Sequence, residues 1–393
     1  MLTKQFYKTV FKNAFGMSFT VKYWDGTTEN YGKNTPDFTL VFNKELPVKE
    51  VLSDPSIILG EAYMDKKIDL EGGDELELER VICTAFEHSQ YFMKNHKFGN
   101  FLPKKLTHSK KESKKYIEAH YDIGNDFYKL WLDPSMTYSG AYFKTEDTSL
   151  EQAQIDKVHH ILNKLNLKNG ETFLDIGCGW GTLIFTAAKE YGATSTGITL
   201  SEEQFDYISE KIKAEGLEDK VTVHLMDYRD LPSEAFDKIS SVGMVEHVGK
   251  ENLSIYFKTI ERLLVPKGEA LIQGITGQKK GGTNSFFEKY IFPGGYMPGL
   301  PEMVTSITEN NLQLVDLESL RRHYQKTLEH WTKNFHEQLP VIRQTKDERF
   351  IRMWDLYLQA SAGSFASGHI DLMQYLMTKG TNNDLPLTRE YMI

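Results

Sequence analysis

Asp175 lies in an apolar run, Phe173-Leu-Asp-Ile, and glycines follow at alternate positions, Gly177, Gly179 and Gly181, with Cys178 and Trp180 between them. Glycines at such a turn let backbone approach a ligand and leave N–H groups at the start of the next helix. The spacing is G-x-G-x-G, not the G-x-G-x-x-G of dinucleotide binders, whose amides cradle a pyrophosphate. Farther on, Gly197-Ile-Thr-Leu-Ser-Glu-Glu-Gln204 offers Thr199, Ser201 and Gln204, neutral polar groups where a ribose-binding acid is often found. Met226-Asp-Tyr-Arg-Asp-Leu231 supplies Asp227 to accept from an amino group, Tyr228 to stack on a ring, and Arg229 beside them. Each is an ordinary turn alone. In succession they form a nucleoside site, and Glu246 adds a carboxylate farther along.

The elements that must position these residues are legible. Apolar runs at Thr172–Ile176, Thr196–Leu200, Val221–Met226, Ile239–Val242 and Ala270–Ile275 predict strands, with helices at about Thr182–Glu190, Glu202–Glu215 and Glu251–Leu264. Alternation of this kind predicts an α/β fold, a parallel sheet with helices on both faces. Ligands then bind at the carboxyl ends of the strands, where the chain order reverses. Glu246 follows the fourth strand directly, on that side; the alternative is a surface Glu at a helix start. Two later helical patterns carry aromatic stripes, Tyr324, Leu328, Trp331, Phe335, Leu339 and Phe350, Met353, Trp354, Tyr357, Leu358. Such stripes fit a core or the wall of an apolar tunnel.

The chain of 393 residues carries a net charge of −9, which argues against nucleic acid as a partner. Cys83 and Cys178 are too few for a disulfide framework or a cysteine-based zinc site. No apolar run approaches a membrane span and no signal peptide opens the chain, so a cytoplasmic protein is expected. Residues 1–95 read as a small α+β domain, 96–115 as a lysine-rich linker and 116–393 as the catalytic domain. The first helix sets Leu2, Phe6, Val10, Phe11, Ala14 and Phe15 against Lys4, Lys8 and Lys12. It either lies on an anionic membrane surface or docks on its own domain. Strands are expected at Phe19–Trp24 and Phe38–Phe42, and Asp69–Glu79 reads as a solvated acidic face. Between Lys94 and Lys115, eight lysines face the single Glu112, a pattern that fits a solvated linker or attraction to anionic phospholipid.

The glycine turn with Asp175 resembles motif I of the class I methyltransferases, whose cofactor S-adenosylmethionine carries an amino acid and a sulfonium and no phosphate. From about Tyr116 to Gly380 the sequence resembles the cyclopropane fatty acyl phospholipid synthases and their mycolic acid relatives. The resemblance rests on His120-Tyr-Asp-Ile-Gly-Asn-Asp126, Tyr138-Ser-Gly-Ala-Tyr142, Leu174–Gly181, Ser241-Val-Gly-Met-Val-Glu-His-Val-Gly249, Lys289-Tyr-Ile-Phe-Pro293 and Ala362-Gly-Ser-Phe365. It implies a class I methyltransferase sheet and methylene transfer from S-adenosylmethionine to the cis double bond of an acyl chain in a membrane phospholipid. It also implies a non-catalytic N-terminal domain, frequent homodimers and peripheral association with the inner membrane face.

An alkene is a weak nucleophile, so the electrophilic methyl must be held in line with it. The resulting carbocation would trap water, which demands a dry chamber lined by aromatic faces. Tyr142, Phe143, Phe286, Phe287, Tyr290, Phe292 and Tyr296 are candidates. A base must then take a proton, which the resemblance assigns to bound bicarbonate. Glu246 is expected to hold that ion by accepting its O–H, with Tyr290 and the backbone N–H of Ile275 donating to it. The resemblance carries Tyr138 and Ser139 to the methionyl part of the cofactor, alongside Asp175, Gly177, Cys178 and Gly179. Three positions depart from the family pattern: Gln273 stands for a His, and Gly140 and Ser361 each stand for a Cys. With a weakened base, the same cation leaves a methyl-branched alkene. A methyltransferase for a small soluble acceptor and a non-catalytic lipid-binding relative are the other readings.

Overall fold

The computed structural model describes residues 2–14, 17–95, 112, 123–232 and 235–392. Of the lysine-rich stretch, Lys97, Lys104, Lys105, Lys110, Lys111, Lys114 and Lys115 lie outside the described residues, as do His120, Tyr121 and Asp122. Two compact units are formed. Residues 1–104, 284–291 and 325–369 make one, and residues 105–283, 292–324 and 370–393 the other.

In the first unit, β1 (Phe19–Lys22) and β2 (Thr28–Tyr31) form an antiparallel hairpin around Asp25-Gly26, where Gly26 takes φ +80°. β3 (Thr39–Phe42) pairs parallel to β1, and β4 (Ile68–Glu71) pairs antiparallel to β3. The helix Leu2–Ala14 lays Tyr7 and Phe11 onto this sheet, in one cluster with Phe19, Val21, Tyr23, Tyr31, Phe38 and Phe42. Its apolar face is thus buried in its own unit. Two of its three lysines are paired there as well, Lys4 with Asp25 at 2.7 Å and Lys8 with Glu29. Docking accounts for the amphipathic pattern, and the membrane-surface alternative for this helix is set aside.

The acidic run also differs from expectation. Glu77 and Glu79 are each 5% exposed, because the helix Glu77–Asn95 turns them inward. Gln325 Nε2 donates to Glu79 Oε1 at 3.2 Å and to Glu329 Oε1 at 2.8 Å, while the Glu79 N–H donates to Gln359 Oε1 at 3.1 Å. Gly363 permits this approach, since a Cβ there would sit 2.8 Å from the Glu79 carbonyl. The aromatic stripes are core: Leu328, Trp331, Phe335, Trp354, Tyr357 and Leu358 are buried.

The second unit is built on seven strands in the order β10-β11-β9-β8-β5-β6-β7, with β5 at Thr172–Ile176, β6 at Thr194–Thr199, β7 at Val221–Leu225, β8 at Phe236–Val242, β9 at Leu264–Gly277, β10 at Leu312–Ser319 and β11 at Ile370–Lys379. β5 to β9 pair in parallel, and β11 runs antiparallel between β9 and β10. This is the class I methyltransferase sheet. Helices Thr182–Glu190 and Glu202–Glu215 have the expected bounds, and the third is shorter, Leu253–Leu263. Side-chain alternation along the strands feeds two cores. Phe173, Leu271 and Leu376 enter one, and Leu174, Ile272 and Met377 enter the other. The last two strands escaped the sequence reading. β11 is buried along nearly its whole length, so it lacks the alternation that marks a half-exposed strand. Chain order reverses between β5 and β8, which opens the crevice where a ligand binds.

Candidate active site

β5 delivers Asp175 to this crevice with the carboxyl buried. Ser240 on neighbouring β8 donates to Asp175 Oδ1 at 2.6 Å. Burial raises the Asp175 pKa to about 6, opposed by that hydrogen bond and by the nearby Lys157 ammonium. Gly177, Gly179 and Gly181 all adopt positive φ, +79°, +55° and +88°, and Gly181 starts the helix Thr182–Glu190. The chain thus turns through left-handed conformations that a side chain would strain. A Cβ on Gly179 or Gly243 would meet no atom within 4 Å, so both face open space.

One cleft gathers Tyr138, Ser139, Asp175, Gly177, Cys178, Gly179, Thr199, Gln204, Asp227, Tyr228 and Arg229. Ser201 is not among its lining residues. Its hydroxyl caps the helix Glu202–Glu215, accepting from the Gln204 N–H at 3.3 Å. Thr199 Oγ1 donates to Gln204 Oε1 at 2.8 Å, which fixes both side chains. Asp227 is held by Arg229, whose Nε and Nη2 donate at 2.7 and 2.6 Å. Tyr228, which lines the cleft, meets Tyr256 edge-on at 5.5 Å. Tyr138, also on the cleft, packs edge-on against Trp131, and Ser139 Oγ accepts from Lys157 Nζ at 3.0 Å. Lys157, Trp180, Met244 and His247 also line the cleft, and the sequence reading did not single them out. For Lys157 the available signal was its register on the helix Leu150–Lys164, on the same inward face as Gln154, Ile161 and Lys164.

Glu246 sits in a helical turn just past β8. Its Oε1 accepts from the Ile275 N–H at 2.6 Å, and its Oε2 is closed to solvent with no hydrogen-bond partner. Burial pushes the Glu246 pKa up to about 7, against the Ile275 hydrogen bond. The Ile275 N–H expected to donate to an ion is therefore committed to Glu246 itself. Gln273 on β9 faces Gln374 on β11, whose Nε2 donates to Gln273 Oε1 at 2.9 Å. Gln273 Nε2 and Gln374 Oε1 are buried without partners. Gly140 lies against this part of the sheet: a Cβ there would fall 2.6 Å from Leu372 Cδ2 and 3.1 Å from the Tyr324 ring. Leu372 is the register partner of Ile275. Tyr324 therefore stands beside Gly140, a placement that sequence reasoning missed because it arises only through the tertiary fold.

Tyr290 and Ser361 are engaged within the first unit. The Tyr290 hydroxyl donates to Glu61 at 2.7 Å and accepts from Arg349 at 3.2 Å. Ser361 Oγ donates to the Tyr357 carbonyl of its own helix at 2.8 Å. Tyr142 is stacked between His160 at 4.1 Å and His323 at 4.7 Å.

Comparison with known proteins fits this geometry. Residues 108–375 match the family model described as mycolic acid cyclopropane synthetase, and residues 6–97 match a domain of unknown function. The chain is 42% identical to a probable fatty acid methyltransferase of Pseudomonas putida, covering 95% of each. It is 38% identical to the cyclopropane-fatty-acyl-phospholipid synthase of Escherichia coli K12, over 87% of this chain and 88% of that one. Among solved structures, the cyclopropane synthase MmaA2 of Mycobacterium tuberculosis superposes with a TM-score of 0.65 at 31% identity, covering 68% of this chain and 98% of that one. The mycolic acid cyclopropane synthase CmaA1, in complex with SAH and CTAB, gives 0.64 at 32% identity over the same shares. The chain belongs to the mycolic acid cyclopropane synthetase family and is an S-adenosylmethionine-dependent methyltransferase.

Proposed function

We propose that this enzyme adds a methylene group to the cis double bond of an unsaturated acyl chain in a membrane phospholipid, closing a cyclopropane ring, with bound bicarbonate as the base. One observation carries the reading: a buried carboxyl, Glu246, with one oxygen fixed by Ile275 and the other unpartnered, beside a strand pair that leaves an amide donor and acceptor unmet. Buried polar atoms without partners are rare in native proteins and call for a ligand. S-adenosylmethionine fits the cleft because Gly179 and Gly243 leave space and no cradle for phosphate is needed. When bound, these two groups supply an electrophilic methyl carbon and a proton acceptor.

The chain's own residues do the rest. Gly177 and Gly179 admit the cofactor, and Thr199, Gln204 and Asp227 orient its nucleoside. Glu246 accepts the O–H of the captive ion, and a pKa near 7 suits a group that shares a proton. Gln273 Nε2 is a donor to the same ion. Tyr324 and Leu372 fill the space next to Gly140 and keep water out, which protects a carbocation. No helix of the described residues is long and apolar enough to cross a membrane, and a peripheral dimer at the inner face, drawn by the lysine-rich stretch, completes the reading.

The test is to incubate purified protein with labelled S-adenosylmethionine and vesicles of unsaturated phospholipid, with and without bicarbonate, and to analyse the lipids by mass spectrometry and NMR. The expected product carries one added methylene as a ring and forms faster with bicarbonate. Unmodified lipid under both conditions overturns the proposal. A methyl-branched product is the second reading, favoured by the name of the Pseudomonas putida relative and by Gln273, which cannot carry charge. NMR separates ring from branch.

A further inference from the structure

Tyr142 and Phe143 are gripped from two sides within the second unit. On one side, His160 of the helix Leu150–Lys164 stacks on the Tyr142 ring at 4.1 Å, and its Nε2 donates to Glu318 Oε2 at 2.7 Å. Lys164 pairs with the same oxygen at 2.8 Å, which fixes the Glu318 carboxylate and through it the His160 ring. On the other side, His323 stacks on Tyr142 at 4.7 Å, with the rings 7° from parallel. His323 stands at the start of the helix Arg321–Glu337, and its Nδ1 accepts from the Phe143 N–H at 3.0 Å.

A ring nitrogen that accepts a hydrogen bond cannot carry a proton, so this geometry requires a neutral His323 with its hydrogen on Nε2. Protonation of Nδ1 would set one N–H against another and strand the donor of Phe143, a residue 8% exposed. Charged groups face the ring from four elements. Glu318 on β10 and Glu146 in the segment after Phe143 favour the cation, and His160 on its helix and Arg322 on the helix of His323 oppose it. Arg322 and Glu146 pair with each other at 3.3 Å. Tyr142 itself feels Glu318, Lys144 and Asp156, and the last two pair at 2.9 Å. Burial is the largest influence on His323, and it holds the pKa below the ordinary 6.5.

The neighbouring residue gives this contact a use. Tyr324 and Leu372 both close on Gly140, so tightly that a Cβ there would meet each of them. One helix start therefore touches the segment 140–143 at both ends, Tyr324 at Gly140 and His323 at Phe143. We propose that His323 is a positioning residue: while neutral it locks the segment 140–143, keeping Gly140 pressed against Tyr324 and Leu372, and on protonation it lets that segment go. The Tyr142 N–H still donates to the Ala153 carbonyl at 3.0 Å, so the release is local and the fold persists. Leu372 is the register partner of Ile275, whose N–H holds Glu246. The lock thus keeps water from the proposed reacting end, and mild acid opens it.

The first measurement is NMR of the full chain, free of ligand and carrying isotope-labelled histidine, with His323→Asn identifying the signal by its loss. The ring should be the Nε2–H tautomer at about pH 8 and titrate below 6.5. Hydrogen exchange at the Phe143 amide, corrected for its intrinsic rate, should speed up by about 10- to 100-fold across that titration, as expected of a buried N–H that loses its acceptor. The second measurement is the pH profile of lipid modification, which rests on the proposed reaction. Turnover should fall on the acid side with the same titration. His323→Leu should be slower by about 10- to 100-fold at every pH. Asn Oδ1 takes the place of Nδ1 and does not titrate, so His323→Asn should restore what His323→Leu loses and remove the acid limb. A protonated Nδ1 at about pH 8, or Phe143 exchange that ignores the titration, overturns the proposal. So does an acid limb that survives His323→Asn, which would assign it to another group. Should His323→Leu not fold, the wild type and His323→Asn decide alone. If the wild type modifies no lipid, the proposed reaction falls, and the tautomer and exchange results still decide this inference.

Discussion

Two neighbouring parts of the second unit treat buried polar groups in opposite ways. In the cleft beyond β5, β6 and β7, most polar side chains already have protein partners: Asp175 has Ser240, Thr199 has Gln204, and Asp227 has Arg229. Around β9 and β11, Glu246 Oε2, Gln273 Nε2 and Gln374 Oε1 are buried with none. The first region is rigid before its ligand arrives, which lowers the ordering cost of binding. The second holds polar atoms at a cost of about 1–3 kcal/mol each, a cost that a bound polar ligand relieves. The proposed binding and chemical roles thus fall in separate neighbourhoods, joined by the loop that carries Glu246.

The sharpest way to break this contrast is Glu246→Gln. Turnover should fall by about 100- to 10,000-fold, the range for a lost proton-transfer group, with S-adenosylhomocysteine affinity unchanged by calorimetry. Equal loss of both would join the two regions into one site. Asp175→Asn should do the reverse, weakening S-adenosylhomocysteine about tenfold while turnover at saturation changes less. Gln273→Leu leaves Gln374 Nε2 without its acceptor and should lower stability by about 1–3 kcal/mol in urea melts. Adding Gln374→Leu should recover the stability but not the turnover, because packing is restored and the donor is not. If turnover returns as well, the amide pair has no role beyond structure.

The smallest effect concerns the first unit. Burial and the neighbouring Glu329 hold the Glu79 carboxyl well above the ordinary value. Its proton is kept in the fold and lost on unfolding, so this contribution is full below the unfolded pKa and disappears as pH rises through the folded one. Glu79→Gln should therefore raise stability in alkaline melts by about 1 kcal/mol and leave acidic melts unchanged. A uniform shift at all pH values would place the effect elsewhere.

Much of the cleft was legible because its determinants are local. Asp175, the glycine turn and the residues after β6 and β7 lie within a few positions of the strands that present them. What escaped depends on distant chain. Glu79 read as solvated because nothing nearby in sequence announces Gln325 and Gln359. β11 escaped because a strand covered on both faces has no alternation. Lys157 was not singled out, although its register on the helix Leu150–Lys164 places it inward. Ser201 was taken for a ligand group, yet a serine before Glu-Glu-Gln at a helix start is equally a cap. The place of Tyr324 beside Gly140 escaped because it arises only through the tertiary fold.

The position of β11 has a consequence for biosynthesis. Residues 172–242 supply the strands around the nucleotide crevice, and all have been made long before residues 370–379 emerge. The strand that seats Gln374 against Gln273 is the last of the seven to be synthesised, inserted between two strands already made. A ribosome-bound chain can thus complete the strands of its cleft early, while the Gln273–Gln374 pair forms only after residues 370–379 have been made. Stop codons ahead of that final strand should yield products that still recognise the nucleoside but never modify a lipid.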